Sequence, residues 1–144
     1  MKVYIGSDHA GYELKNKLKV YLGELGYEIE DKGAFEFNST DDYPDFIKQV
    51  AVAVSQDKDI RGIVLGGSGQ GEAMVANKQE GIRATEYYGG NLEIVKVSRE
   101  HNDANVLSLG ARFINEDEAK QAVKIFLETP FSNDPRHIRR INKI

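Results

Sequence analysis

Residues 63–72 read Ile63-Val64-Leu65-Gly66-Gly67-Ser68-Gly69-Gln70-Gly71-Glu72. The continuous apolar run Ile63 to Leu65 lacks the alternation of a half-exposed strand, as expected of a central parallel strand covered on both faces. Four glycines in the six residues 66–71 follow at once, and Glu72 to Asn77 reads as a helix start. A strand, a glycine turn and a helix are half of a βαβ unit, and the pattern repeats on both sides.

Upstream, Val3 to Gly6 is a short strand. The helix predicted from Ala10 carries Leu14, Leu18, Tyr21, Leu22 and Leu25 on one stripe and ends at Gly26. Tyr27 to Asp31 is a weak, polar strand suited to a sheet edge. After a loop over residues 32–42, Asp42-Tyr43-Pro44 predicts a helix start with a capping acid and a first-turn proline. Phe46, Ile47, Val50 and Val54 mark its buried face. Downstream, Ile82 to Tyr87 and Val106 to Leu109 are strands, and Asn91 to Glu100 is a helix. Asn115 and Glu118 form an Asn-x-x-Glu box opening a helix with Ala119, Ala122, Val123, Phe126 and Leu127 inward. Pro130 stops it, and Pro135 starts a short tail helix. There is no internal repeat and no low-complexity linker. Five strands alternating with helices predict a Rossmann-like three-layer α/β/α sandwich on an open parallel sheet, with residues 1–144 as one domain.

Composition narrows the chemistry. The 144 residues carry 19 Lys and Arg against 23 Asp and Glu, a net charge of −4, which argues against a general nucleic-acid binder. The charge is uneven. Glu24 to Asp59 holds ten acids and three lysines, whereas Pro135 to Ile144 holds Arg136, Arg139, Arg140, Lys143 and His137 with no acid. A small basic cluster on an acidic chain suits a small anion better than a polyanion. With no cysteine, disulfides, thiolate zinc sites and a cysteine nucleophile are excluded. No apolar run reaches the roughly 20 residues of a membrane span, and a strand, not an apolar leader, is predicted from Lys2. A cytoplasmic protein, with no membrane partner, is expected.

Ligands of open parallel sheets bind at the carboxyl ends of the strands. Three segments lie there: Ser7-Asp8-His9-Ala10-Gly11, Gly66 to Glu72, and Gly110-Ala111-Arg112. In the glycine loop, backbone N–H groups and the following helix start can hold an anion or a developing oxyanion. The loop lacks the Gly-Lys-Ser/Thr ending of a phosphate-binding Walker loop, and it follows the wrong strand for a dinucleotide fingerprint. The alternative is a turn that only packs helix against strand. Glu72 is either a first-turn acid favoured by the helix dipole or a base pointing into the site. Asp8 either binds a ligand or caps the first helix. His101-Asn102 is either functional or a solvated helix end, and Arg112 and the tail arginines could be solvated charges. Arg136 and Arg140, four residues apart, share one face of the tail helix with His137 beside them, while Ile138 and Ile141 mark an apolar face for packing. No His, Asp or Glu grouping has metal-ligand spacing.

Together these segments resemble the type B ribose-5-phosphate isomerases, in the wider group that includes galactose- and allose-6-phosphate isomerases. The matching pieces are Gly6 to Tyr12, Thr40 to Pro44, Gly66 to Glu72, Ala76 to Lys78 with Gly81 to Ala84, Ser98 to Asn102, Gly110 to Arg112, and Arg136-His137 with Arg139-Arg140. The resemblance implies a cofactor-free aldose–ketose isomerase of ribose 5-phosphate and ribulose 5-phosphate. A six-carbon sugar phosphate is the alternative substrate, and a non-catalytic sugar-phosphate binder or flavodoxin-like nucleotide module the alternative class. It further implies that Asp8, His9, Asn102 and the loop Gly67, Ser68, Gly69, Gln70 and Gly71 bind substrate. His101 would open the sugar ring. Arg112, Arg136 and Arg140, with His137, would hold the phosphate. Many relatives place a cysteine base directly before the loop, where this chain has Gly66. A second branch carries Gly-Gly-Ser-Gly-x-Gly-Glu, as here, which assigns the base to Glu72. His101 is predicted near the amino ends of the strands and Glu72 near their carboxyl ends, separated by a strand spanning about 13 Å. A homodimer sharing its sites, as the resemblance implies, would bring the two together.

Overall fold

The computed structural model describes all 144 residues. Five strands, β1 (Lys2–Ser7), β2 (Glu28–Asp31), β3 (Arg61–Gly66), β4 (Ala84–Tyr87) and β5 (Val106–Gly110), form one sheet in the order β2-β1-β3-β5-β4. Every pairing is parallel. The helices are α1 (Tyr12–Glu24), α2 (Pro44–Ser55), α3 (Gln70–Ala76), α4 (Glu93–Asn102), α5 (Glu116–Glu128) and α6 (Pro135–Ile141). None is long and apolar enough to cross a membrane.

The period of two in β3 shows how the layers arise. Ile63 and Leu65 face a core built with α1, α4 and α5, where Leu18, Leu22, Val95, Val123 and Phe126 are buried. Val64 faces the opposite core with Ile47, Val50, Val54 and Ala76 of α2 and α3. A strand apolar at every position is therefore buried on both faces, and the three-layer expectation holds. The polar β2 lies at an edge, also as expected. The strand order places the topological switch between β1 and β3, because the chain leaves β1 toward one edge and β3 toward the other. A crevice opens there beyond the carboxyl ends.

Several boundaries differ from expectation for local reasons. Asp8 accepts from the N–H groups of Ala10 and Gly11, so residues 9–11 form a 3₁₀ turn and α1 starts at Tyr12, not Ala10. Asp42 does not cap α2: Tyr43 holds the cap position and no side chain bonds there. α3 begins at Gln70, two residues before Glu72, and β4 begins at Ala84 instead of Ile82. α4 extends to Asn102, so His101 and Asn102 lie in its last turn and not beyond it. Asn115 caps α5 by accepting from the Glu118 N–H at 2.8 Å, but Glu118 does not complete the box. Its carboxylate instead accepts from the Tyr87 hydroxyl at 2.8 Å. The tail helix α6 starts at Pro135 as predicted but buries no residue, so Ile138 and Ile141 seat it only partially.

Candidate active site

The glycine loop is held from below by β5. Ala111 and Arg112 donate their N–H groups to the carbonyls of Gly66 (2.8 Å) and Gly67 (3.1 Å), carrying the β3–β5 pairing past the strand ends. The buried Ser108 hydroxyl donates to the Gly69 carbonyl at 2.6 Å. Gly69 has φ +80°, and a Cβ there would lie 3.0 Å from the Leu109 backbone. Both the left-handed backbone and the close approach require glycine.

Glu72 occupies the first turn of α3, and its side chain folds back over Gly66. A Cβ at Gly66 would fall 1.7 Å from Glu72 Oε1, so the carboxylate fills the space that any side chain at position 66 would need. Glu72 is 4% exposed. Burial raises its pKa above the ordinary carboxylate value, and the Asp8 and Glu86 carboxylates push it the same way, against the opposing effect of its own backbone N–H. Glu72 is therefore a first-turn acid that also lines the cleft, the position that the reading as a base requires.

That cleft, of about 540 Å³, is lined by Asp8, His9, Ala10, Tyr43, Gly67, Ser68, Gln70, Gly71, Glu72, Met74, Arg112 and Phe113. Asp8 caps the 3₁₀ turn, one of the two roles weighed for it, and also lines the cleft. Arg112 is exposed and has no carboxylate partner, and its Nη1 lies 3.1 Å from the place of a Gly67 Cβ. The Ser68 hydroxyl accepts from the Gln70 N–H at 3.2 Å, which engages that N–H within the loop and leaves the Ser68 O–H able to donate. The Gly69 and Gly71 N–H groups have no backbone acceptor.

Two residues, one lining the cleft and one behind it, escaped the sequence reading as site residues. Tyr43 packs on Gly71, where a Cβ would meet its hydroxyl oxygen at 2.6 Å. Asp41 lies behind His9, with Oδ1 2.6 Å from His9 Nδ1. Both belong to the Thr40–Pro44 motif, which was the available signal. The loop bearing Asp41 is tied to β1, since Ser7 donates to the Gly33 carbonyl and Ala34 to the Ser7 carbonyl, each at 2.7 Å. It is also anchored by the fully buried Lys15, which donates to Asp31 Oδ1 at 2.8 Å and to the Ala34 carbonyl at 2.5 Å. Burial lowers the Lys15 pKa, while the Asp31 carboxylate opposes that shift. The fold also brings ligand-type atoms of Asp8, His9 and Asp41 within 4.8 Å of one another. This grouping corrects the sequence reading, which found no such cluster because His9 and Asp41 are 32 positions apart. Asp8 Oδ1 is engaged by backbone N–H groups and His9 Nδ1 by Asp41, which accounts for the trio without an ion.

The remaining predicted residues lie elsewhere. His101, Asn102, Arg136, His137 and Arg140 do not line this cleft. α4 ends beside the amino ends of β4 and β5, where Arg83 Nε donates to the Asn102 and Asp103 carbonyls, each at 3.0 Å. There the His101 and His137 rings stack, with centroids 4.3 Å apart and planes 19° from parallel. Partial desolvation lowers the His137 pKa, and His101 adds to the effect. Arg136 is paired with Asp134 at 3.0 Å, which holds that carboxyl down to about 2. Arg140 has no acid partner.

Residues 3–144 match the Ribose/Galactose Isomerase family. The chain is 44% identical over 142 residues to the ribose-5-phosphate isomerase B of Mycolicibacterium paratuberculosis, covering 99% of this chain and 88% of that one. It superposes on ribose-5-phosphate isomerase B of Mycoplasma genitalium, solved with bound ribulose 5-phosphate, with TM-score 0.93 and 36% identity over 99% of this chain and 92% of that one. For the Clostridium thermocellum enzyme the TM-score is 0.92 and the identity 44%, over 99% and 94% of the two chains. With a full-length match in sequence and in fold, the chain belongs to the Ribose/Galactose Isomerase family.

Proposed function

We propose that residues 1–144 form one isomerase domain, acting in the cytoplasm, that interconverts ribose 5-phosphate and ribulose 5-phosphate. The observation that carries this reading is the Glu72 carboxylate, buried against Gly66 beside the glycine loop at the sheet's switch point. An aldose–ketose isomerase takes a proton from the carbon next to the carbonyl and returns it to the neighbouring carbon. One carboxylate close to both carbons performs both transfers. A buried carboxylate with a raised pKa is a stronger base than a solvated one. The intermediate is an enediolate, and the Gly69 and Gly71 N–H groups with the Ser68 hydroxyl are the donors assigned to its negative oxygen. Asp8, His9 and Arg112 bind the remainder of the substrate.

The same proposal assigns ring opening to His101, and phosphate binding to Arg112 with Arg136, His137 and Arg140, while Asn102 contacts the sugar. In one chain His101, Asn102 and the α6 residues lie at the opposite end of the sheet from Glu72 and Arg112. The active form is therefore a homodimer in which each subunit lends His101 and the α6 cations to its partner's cleft. A buried base with a raised pKa disfavours a purely binding role. The decisive experiment is a coupled assay on ribose, allose and galactose phosphates. The proposal expects the highest kcat/KM on ribose 5-phosphate. Preference for a six-carbon phosphate replaces the substrate, and no turnover on any of them rejects the isomerase reading.

A further inference from the structure

Asp41 makes an unusual arrangement around His9. One oxygen, Oδ1, accepts from the His9 backbone N–H at 3.0 Å and lies 2.6 Å from the ring Nδ1. Main chain and ring are thus held by the same atom. The edge of the Phe37 ring meets the imidazole from another side, with centroids 6.3 Å apart and planes at 89°. The Asp41 side chain is only 8% exposed, and its second oxygen, Oδ2, is buried without a hydrogen-bond partner. A buried carboxylate oxygen left unpaired is destabilising, so stability alone is a poor reason for an aspartate at this position. The arrangement makes sense as a restraint on His9. The bond made by one imidazole nitrogen determines the protonation and direction of the other. With Nδ1 committed to Asp41, Nε2 has no partner within the chain, and His9 lines the cleft with Glu72 and Arg112.

We propose that Asp41 is a positioning residue: it locks His9 as the Nδ1–H tautomer in one orientation and presents Nε2 to the substrate. The inference deepens the isomerase reading and rests on it for the identity of that substrate. Asp41 itself touches no reacting atom. It works by removing rotamers and one tautomer from His9 before the substrate arrives, so that binding does not have to order the ring.

The test begins without substrate. The chain has three histidines, so ¹⁵N-histidine labelling gives a simple imidazole spectrum, with His9 assigned by its loss in His9→Gln. At alkaline pH, with neutral rings, the wild-type protein shows His9 protonated on Nδ1. Asp41→Ala shifts it toward Nε2 protonation, whereas Asp41→Asn, which keeps a carbonyl acceptor, retains the wild-type pattern. In turnover of ribose 5-phosphate, Asp41→Ala raises KM about tenfold, the scale of one lost charge-assisted contact, with kcat within about threefold of wild type. Added to His9→Ala, the same substitution changes KM by less than about twofold, because its target is gone. An Nε2-protonated His9 in the wild-type protein overturns the proposal, and so does a full additional loss in the double variant. If the wild-type protein fails to turn over ribose 5-phosphate, the substrate assignment falls while the spectra still decide the role of Asp41.

Discussion

The two ends of the sheet are built differently. At the carboxyl end, Glu72 is buried over Gly66, Asp8 is bonded to backbone N–H groups and His9 is held by Asp41. Each of these three side chains is held by packing or by a hydrogen bond within the chain. At the amino end, His101, Asn102, Arg136 and Arg140 are exposed, His137 is restrained mainly by its stack on His101, and α6 buries nothing. One end holds a buried carboxylate among fixed neighbours, and the other is a loosely seated cationic surface with no acid to neutralise Arg140. Proton transfer is sensitive to sub-ångström placement, whereas a phosphate is attracted over several ångströms by charge alone. The tight end therefore suits proton transfer and the loose end anion capture, and in the homodimer we propose the two ends form one site.

The sharpest way to break this contrast is Glu72→Gln. Turnover should fall by at least about 10²-fold with KM little changed, as for other lost acid–base groups. Near-normal turnover in a coupled assay removes Glu72 as base. Next comes Gly66→Ala. The new Cβ would stand 1.7 Å from Glu72 Oε1, so the carboxylate must move. A displacement on the order of 1 Å costs up to about 10² in kcat. Retained kcat would show that the tight end tolerates slack.

Mixing tests the union of the two ends. Glu72→Gln and His101→Ala proteins are each expected to be nearly inactive. After subunit exchange at equal ratio, activity should return to at most about a quarter of wild type, from heterodimers with one intact site. Exchange confirmed by native mass spectrometry with no recovered activity shows that His101 does not act in trans. At the loose end, Arg140→Ala should raise KM about tenfold, the scale of a charge-assisted contact, with kcat nearly unchanged. Arg136→Ala should do less, since Arg136 is already paired with Asp134 at 3.0 Å. Unchanged KM in both variants would make the tail structural.

The smallest expected effect is on stability. Burial raises the Glu72 pKa in the folded protein, so the native state binds that proton more tightly than the unfolded chain. Its contribution to stability is then fullest below the unfolded pKa and is lost as pH rises through the folded one. Glu72→Gln should therefore melt slightly above wild type at neutral pH, with the gap closing as pH falls into the ordinary carboxylate range. Thermal unfolding across that range measures it, and a variant that melts lower at neutral pH contradicts the sign.

How much was legible in the chain can be judged from particular residues. Ile63 to Leu65 announced a doubly covered strand, and Asn115 and Pro135 announced helix starts, because apolar period and capping chemistry act between near neighbours. The side-chain pairings that the sequence did not show join residues far apart along the chain. Glu118 turned from its helix end to Tyr87, 31 positions away, and Asp41 reached back 32 positions to His9. Neither pairing has a local signal. The motif containing Tyr43 and Asp41 could be matched, but nothing in its spacing revealed what those side chains touch.

By itself the sequence determined the layer architecture and the carboxyl-end location of the glycine loop, since each follows from residue type and short-range periodicity, while Glu72 became the candidate base only through the family resemblance. The tertiary structure alone decided that Glu72 lies in the space above Gly66, that Asp41 fastens His9, and that the tail cations stand away from the base. Those three facts depend on which atoms share a volume after the chain has crossed the sheet. Close packing, not sequence proximity, determines that occupancy.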